Sequence, residues 1–408
     1  MEDRKMAEAP MIIKVQRYLE KKWYFRYNVV LGKVEYCLKN SNDFKLMTEY
    51  DFNGIHIKIK EAILSISSSG LLKLLESKFS PRFHPFDDYF KRLKPWDGKT
   101  DYIDKLASTV SATNDEFWYL AFKKWIVAMV GSLLENSVIN HSFLVFSGGQ
   151  GIGKTTWLNN LIPTILKNYS FVGAINPNNK DSQIRLAENM LINIDELQGL
   201  KSADMEALKA LVTSKDLKLR RPYAARDETF PHRASFAGSV NSPQFLSDVT
   251  GNRRFLCFEV NSIQFEHDVL MDNVYAQAVH LFKNGFQYWF TKDDVEFLNK
   301  NNENFRIRNL EEDLLLKYYE PCSEDDEQKL FMTTTEIMNT LAKSADINFD
   351  GRNTYRLGKV LSSCGFIRIK KKNVYGYYLK PIIANFIGYG YGEEPISKIT
   401  EMSNISKN

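Results

Sequence analysis

Residues 146–158 read FSGGQGIGKTTWL and fit the phosphate-binding pattern G-x-x-x-x-G-K-[ST], with Gly148 and Gly153 as its glycines. Glycines allow backbone N–H groups to turn inward around a polyphosphate. Lys154 would reach the outer phosphates, and Thr155 would offer a hydroxyl to Mg²⁺. The sequence therefore predicts an ATP and Mg²⁺ site whose nucleotide contacts are Gly148, Gly149, Gln150, Gly151, Ile152, Gly153, Lys154, Thr155 and Thr156.

The segments on either side of this loop are typical of a buried strand and a helix. HSFLVF precedes it as a short apolar run, and KTTWLNNLIPTIL follows it with apolar residues at helical spacing. A phosphate-binding loop lies between a strand and a helix in this order. The alternative, a glycine-rich turn with a chance lysine, would not require these neighbours. An α/β fold is therefore expected around the loop.

A second acidic element follows in NMLINIDEL, where an apolar run ends in Asp195 and Glu196. A carboxylate at the end of a neighbouring buried strand can hold Mg²⁺, and the next one can orient or deprotonate the attacking water. We assign the metal to Asp195 and the water to Glu196. Taken alone, such a pair is often only a strand end at the surface, and the preceding phosphate-binding loop favours the functional interpretation.

The next two apolar segments carry further candidate catalytic residues. ASFAGSVN ends in Asn241, which is predicted to hydrogen-bond the γ-phosphate or the water, unless it only forms the following turn. Arg253 and Arg254 in TGNRRFLCFEV precede another apolar strand, and paired arginines can stabilise charge on a phosphoryl group held by a neighbouring subunit. A surface pair and a nucleic-acid phosphate contact are the alternatives for these arginines.

Between the acidic strand and the Asn241 strand, LKLRRPYAARDETFPHRASF is predicted to form a strand, a turn and a returning strand. Basic residues interleaved with an aromatic on a projecting hairpin suit phosphate tracking and base stacking on a single strand. A solvated hairpin with structural arginines is the alternative. The candidate DNA contacts are Arg220, Arg221, Tyr223, Arg226, His232 and Arg233.

The composition is that of an ordinary globular protein. The 408 residues are 44% hydrophobic and 25% charged, and the net charge of +4 is too small by itself to indicate a nucleic-acid partner. The four cysteines form no C-x-x-C pair, so no zinc site or disulfide framework is expected. No run approaches the ~18 apolar residues of a membrane span, and FWYLAFKKWIVAMVGSLL is expected to be a core helix. A cytoplasmic location without a membrane partner is predicted.

A family resemblance covers roughly residues 15 to 320. The segments WDGKTDYIDKL, GGQGIGKTT, INIDEL, LRRPYAAR, FAGSVN and DVTGNRRF, in this order, resemble the virulence-associated E family of phages, plasmids and genomic islands. That family is related to the superfamily 3 helicases among the AAA+ ATPases. The resemblance implies an ATP-dependent replicative DNA helicase, a hexameric ring that moves 3′ to 5′ on single-stranded or forked DNA, working with a separate primase or polymerase.

By the same resemblance, Lys154, Thr155, Asp195, Glu196 and Asn241 take the nucleotide roles given above, and Arg253 or Arg254 is the arginine finger. Ala224 and Ala225 depart from the pattern, because a glycine and a basic residue are expected after RPY. The tip of the hairpin is therefore expected to contact DNA differently in this chain. An alternative function is a replication initiator or regulator that binds DNA and uses ATP as an assembly switch.

The last part of the chain predicts a winged-helix-like domain. TTTEIMNTLAKSA and NTYRLGKVLSSCGF suggest two helices, and IRIKKKNVYGYYLKPI suggests a basic hairpin. In that arrangement Arg352, Arg356 and Lys359 lie on the recognition helix, and Lys370, Lys371 and Lys372 lie on the wing. Such domains also bind proteins, so DNA binding is one of two expectations here.

The predicted organisation is an additional-strand AAA+ core flanked by two other regions. Its parts are an accessory or collar region of mixed α/β or helical structure at 1–100, a helical lead-in at 101–140, the P-loop ATPase core with a pre-sensor hairpin at 141–262, a helical extension and linker at 263–325, the winged-helix-like domain at 326–385 and a disordered tail at 386–408.

Overall fold

The computed structural model describes residues 9–176, 179–195, 197, 202–221, 226–246, 252–307, 310–346 and 351–382. Residues up to 245 together with 252–305 form one unit, and residue 246 with 306–382 forms the other. Glu196, Tyr223, the side chain of Arg352 and the tail at 386–408 lie outside the described part. The predictions made for them remain predictions.

The first unit begins with a small mixed α/β region. Its elements are α1 (Met11–Lys22), β1 (Trp23–Asn28), β2 (Lys33–Leu38), β3 (Lys45–Leu46), α2 (Glu49–Glu61), α3 (Ser68–Leu75) and β4 (Arg82–Phe83). The strands form a sheet in the order β3-β2-β1-β4. The three helices contribute Val15, Ile59 and Leu71 to a core that also contains Trp23 and Phe25 of the sheet.

The central sheet of this unit is mostly parallel. Its strands are β5 (Val110–Ala112), β6 (Phe143–Ser147), β7 (Ser170–Val172), β8 (Leu191–Ile194), β11 (Ser235–Val240) and β12 (Phe255–Ile263). Their order is β5-β12-β6-β11-β8-β7, with β5 antiparallel to β12 and the other neighbours parallel. Every residue of β6, β8 and β11 is buried, as expected of a parallel sheet covered on both faces. The carboxyl ends of these three strands therefore meet at one edge.

Eight α-helices follow β4 in the described part of this unit. They are α4 (Pro85–Arg92), α5 (Tyr102–Ala107), α6 (Asp115–Leu134), α7 (Lys154–Asn160), α8 (Lys180–Glu188), α9 (Ser202–Thr213), α10 (Met271–Lys283) and α11 (Lys292–Asn302). The helix after the loop is shorter than predicted, because Pro163 lacks a backbone N–H and a 3₁₀ turn at Thr164–Tyr169 follows it.

Helix α6 is confirmed as a core element. Trp118, Phe122 and Trp125 of this helix are fully buried and pack among the aromatic residues of the central core. Within the described residues it is also long and apolar enough to cross a membrane, although no run was expected to be. Because 78% of its most apolar window is buried inside the protein, its apolar character is explained by the core.

The second unit combines three helices with a small sheet. Its elements are α12 (Leu310–Tyr318), β13 (Tyr319–Pro321), β14 (Leu330–Met332), α13 (Thr334–Ala345), α14 (Gly351–Ser363), β15 (Arg368–Lys371) and β16 (Val374–Pro381). Strand β16 pairs with β13, β14 and β15. A capping box between Thr333 and Glu336 begins α13, and Lys372 and Asn373, both with positive φ, form the turn between β15 and β16.

Helix α12 differs from its predicted place in an extension of the ATPase core. Its Leu314, Leu315 and Tyr318 are buried with residues of α13 and α14, so it packs within the second unit. The acidic segment CSEDDEQK, at the end of the predicted linker, instead connects two strands of one sheet, β13 and β14. Sequence periodicity identified this helix but carries no information on which core receives its apolar face.

Candidate nucleotide site

The predicted strand, loop and helix are β6, residues 148–153 and α7. Gly148, Gly151 and Gly153 have φ values of 152°, 82° and 92°, a backbone region that favours glycine. A Cβ built on Gly148 would also lie 2.5 Å from the carbonyl oxygen of Val260. The loop therefore requires glycine for both its backbone angles and its close packing, as a phosphate cradle does.

Lys154 joins the loop to the end of β11. Its Nζ donates to the carbonyl oxygens of Gly148 and Gly149, both at 2.7 Å, and to Oδ1 of Asn241 at 3.2 Å. Burial of the side chain lowers the pKa of Lys154, and the nearby Asp195 carboxylate opposes this shift. The ammonium group is thus held at the mouth of the loop and beside Asn241.

Three oxygen-bearing side chains meet beside this lysine. Oδ1 of Asp195 accepts hydrogen bonds from Oγ1 of Thr155 at 3.0 Å and from Oγ of Ser239 at 2.7 Å. The two hydroxyl oxygens lie 3.3 Å apart. Hydroxyl and carboxylate oxygens are ligands that Mg²⁺ prefers, so this group fits the predicted metal.

The sequence analysis missed two members of this site. Ser239 is the last but one residue of β11 and bridges Asp195 and Thr155. Asn193 of β8 donates from Nδ2 to Oδ1 of Asn159 at 2.8 Å and to the carbonyl oxygen of Thr155 at 3.4 Å, which positions the first turn of α7. A polar residue inside an otherwise apolar strand was the available signal for both.

The structure brings together most of the predicted nucleotide residues. The loop residues with Lys154 and Thr155, the carboxylate of Asp195 and the amide of Asn241 all lie at the carboxyl edge of the central sheet. Ligands of open α/β sheets bind at this edge. Glu196 follows Asp195 directly in the chain, outside the described residues.

Arg253 and Arg254 lie at the other end of the parallel strands, where the strands begin. They form a 3₁₀ turn directly before β12, whose first residue Phe255 is in register with Phe143, the first residue of β6. The phosphate-binding loop begins after Ser147, the last residue of β6. The backbone of the two arginines is therefore about one strand length, or about 16 Å, from the start of the loop. The two arginines line a cavity of about 290 Å³ together with His141 and Trp289. Burial lowers the pKa of His141, and the charge of Arg254 lowers it further.

The predicted hairpin is present as β9 (Asp216–Leu219) paired antiparallel with β10 (Glu228–Pro231). Arg220 and Arg226 flank its tip and are exposed, so both remain candidates for contact with DNA. Tyr223, the predicted stacking residue, lies outside the described residues.

Arg221 is corrected from a DNA contact to a structural residue. Its guanidinium donates to the carbonyl oxygens of Val30, at 2.7 Å, and Leu31, and it pairs with Glu188. Gly32 makes room for it, since a Cβ there would lie 2.8 Å from Cζ of Arg221. The guanidinium thus joins the turn between β1 and β2 to α8 rather than facing solvent.

His232 and Arg233 are likewise corrected, because both side chains are buried. Nδ1 of His232 bonds to the carbonyl oxygen of Ser214 at 2.8 Å, and Nη1 of Arg233 donates to the carbonyl oxygen of Ala187 at 3.2 Å. Burial lowers the pKa of Arg233 to about 10. These residues follow β10 and enter the core ahead of β11, which spacing alone did not reveal.

We expect His232 to make the fold sensitive to acid. Burial lowers its pKa to about 4. The unfolded chain therefore takes up the proton first, and the stability of the neutral form, complete above about pH 6.5, is lost as the pH falls towards 4. Between pH 7.5 and 5 the wild type should lose about 2 kcal/mol more unfolding free energy than His232→Gln, measured in urea. The exposed His280→Gln serves as control, and equal losses in wild type and His232→Gln would contradict the expectation.

The candidate DNA residues of the second unit lie on its surface. Arg356 and Lys359 on α14 are exposed, and so are Lys370 and Lys371 on β15 and Lys372 in the following turn. The ammonium group of Lys359 lies 4.9 Å from the ring centre of Tyr355, which is 69% exposed. Basic and aromatic side chains are thus available together on this helix.

Comparison with known proteins gives one family and one fold. Residues 90–307, more than half of the chain, match the family model of the virulence-associated protein E-like domain. The apo structure of the C terminal region of NrS-1 is 11% identical, covers 90% of this chain and 98% of its own, and has a TM-score of 0.51. At that identity the likeness shows a shared fold alone.

Two further structures of the NrS-1 C terminal region, both in an apo A form, are 12% identical over the same shares of the two chains. Their TM-scores are 0.48 and 0.47. No curated protein sequence matches the chain.

Proposed function

Because the chain belongs to the virulence-associated protein E-like family, we propose that it is an ATP-dependent DNA helicase that serves the replication of a mobile genetic element. The observation that carries the proposal is the meeting of Lys154, Thr155, Asp195 and Asn241 at the ends of three neighbouring parallel strands. Strand β11 lies between β6 and β8, which supports an additional-strand AAA+ core.

The nucleotide would be held by the glycine loop and Lys154. Thr155 and Asp195, with Ser239 beside them, would hold Mg²⁺, which supplies charge neutralisation at the phosphates when bound. Asn241 accepts a hydrogen bond from the ammonium group of Lys154 and is proposed to contact the terminal phosphate or the water. Glu196, next to Asp195, is proposed to orient the water and accept its proton.

Arg253 and Arg254 support an assembly of several copies. Since they lie about one strand length from the loop of their own subunit, they would reach a nucleotide only on another copy of the chain. A head-to-tail contact of this kind closes into a ring when the rotation between subunits allows it. The proposal is a ring-shaped hexamer that moves 3′ to 5′ on single-stranded DNA.

Two exposed basic surfaces would contact DNA. One is the hairpin with Arg220 and Arg226, and the other is the winged-helix-like second unit with Arg356, Lys359 and the wing lysines. The order of helices and paired strands in that unit supports a winged helix. The hairpin would follow one strand, and the second unit would contact duplex phosphates or a partner such as a primase or polymerase.

Removing both hairpin charges should weaken coupling to DNA and spare basal turnover. For Arg220→Ala combined with Arg226→Ala, we expect the slope of log affinity against log salt for single-stranded DNA to fall by about 1.4, since two phosphate contacts are lost. Fluorescence anisotropy measures this, and ATP hydrolysis without DNA should not change. The exposed pair Lys73 and Lys78, both replaced by alanine, is the charge-matched control. An unchanged slope would exclude the hairpin as a DNA contact.

The function itself is tested by strand separation of a forked duplex with ATP and Mg²⁺, in wild type and Glu196→Gln. Unwinding by the wild type alone supports the helicase. ATP-dependent DNA binding without unwinding, in the presence or absence of a primase partner, would instead favour the alternative of an ATP-switched replication initiator or regulator. The exposed basic surface of the second unit is the observation that keeps this alternative open.

A further inference from the structure

An exposed aromatic ring packs on the phosphate-binding loop. Phe265 follows β12, and a Cβ built on Gly153 would lie 2.3 Å from Cδ1 of this phenylalanine. The ring therefore contacts the backbone of the residue that precedes α7. Phe265 is also 36% exposed, so the ring is open to solvent beside the loop as well as packed against it.

The position of this ring is set by its neighbours. Nδ2 of Asn160 donates to the carbonyl oxygen of Phe265 at 3.1 Å, and the N–H of Gln264 donates to the carbonyl oxygen of Thr109 at 2.8 Å. The hydroxyl of Thr109 in turn accepts from Nε1 of Trp157 on α7, at 2.7 Å. The segment is thus fastened to the middle and the carboxyl end of α7, and little ordering would be needed for the ring to receive a ligand.

The order of the strands gives the direction in which a nucleotide must extend. Thr155 has two partners, Asp195 and Ser239. Asp195 directly follows β8 and Ser239 lies in β11, and both strands are on the same side of β6. A nucleotide with its outer phosphates at that cluster has its ribose and base at the other end of the chain of phosphates. A base that extends away from this cluster across the start of α7 would lie on the β12 side of β6, the side on which Phe265 contacts Gly153.

We propose that Phe265 is the platform on which the base of the bound nucleotide stacks. This rests on the proposed function and adds a base-binding subsite to it. Aromatic rings stack on the faces of bases whatever their hydrogen-bonding edges, so the subsite would take any nucleoside triphosphate with a modest preference. The contact with Gly153 would couple occupancy of the base subsite to the geometry of the loop.

The test compares a nucleoside triphosphate analogue with a triphosphate chain that lacks the nucleoside. Dissociation constants of adenylyl imidodiphosphate and of inorganic tripolyphosphate, each with Mg²⁺, are measured by calorimetry on the full chain. Phe265→Leu keeps an apolar contact with Gly153 but removes the ring. This variant should bind the nucleotide about tenfold more weakly than the wild type and bind tripolyphosphate with unchanged affinity. Phe265→Trp, which keeps an aromatic ring, should bind the nucleotide as the wild type does.

Phe297→Ala is the matched control, because Phe297 is 47% exposed and packs on Phe117 rather than on the loop. An equal loss of affinity for both ligands in Phe265→Leu would overturn the proposal and would mean that the ring only supports the loop. Unchanged affinity for both would also overturn it. Failure of the proposed nucleotide site is a distinct result, since Lys154→Ala would then leave the affinity for both ligands intact.

Discussion

Lys154→Ala should lower ATP hydrolysis at least 100- to 1,000-fold, roughly the effect of removing one preorganised donor from developing charge. In this chain the ammonium group is held at the mouth of the loop by the carbonyl oxygens of Gly148 and Gly149 and by Asn241. DNA unwinding should be lost with hydrolysis. Steady-state release of phosphate, with and without single-stranded DNA, measures the effect.

The exposed Lys167→Ala is the control, because it removes one lysine close in sequence without touching the loop. The buried position of Lys154 requires a second control, and the thermal unfolding midpoint of Lys154→Ala should show that the fold is retained. Hydrolysis at the wild-type rate in a folded Lys154→Ala chain would mean that the loop is not the ATP site.

Alanine at the arginine that acts as the finger, Arg253 or Arg254, should lower turnover about 1,000-fold or more while ATP still binds. Because each arginine lies about one strand length from its own loop, the defect should be repaired in trans. Mixing an arginine variant with Lys154→Ala creates some sites that combine an intact loop from one subunit with an intact arginine from the other. Activity of the mixture should therefore exceed that of either variant alone.

Arg92→Ala, which removes an exposed arginine paired with Asp88, is the control for loss of an arginine as such. Wild-type turnover in both single variants would exclude a finger role for this pair. A deep loss that mixing does not repair would instead indicate that the arginines stabilise their own subunit, for example around the cavity they share with His141 and Trp289.

Much of the site follows from local sequence because its chemistry is local. The loop needs glycine at positions of positive φ and a lysine and hydroxyl at the start of a helix, so these residue types are contiguous and recognisable. The strands β8 and β11 are mostly apolar runs without alternation, as expected of strands that are buried on both faces. Asp195 and Asn241 could then be placed at their ends.

The order of the strands and the direction of each side chain depend on contacts between distant segments. Ser239 reaches Asp195 only because β11 lies beside β8, and Phe265 reaches Gly153 only because the chain after β12 returns to the loop. Arg221, His232 and Arg233 have the same basic character as Arg220 and Arg226. Burial against the N-terminal turn and the core separates the first three from the exposed pair.

The linear chain thus specifies the loop, its flanking strand and helix, the acidic strand and the family, because each is a pattern of neighbouring residues with a physical period. It does not specify which basic residues face solvent, which core receives α12, or that the paired arginines lie across the sheet from the loop. Those features depend on which distant segments bury their apolar surfaces against each other. A short sequence pattern does not contain that information.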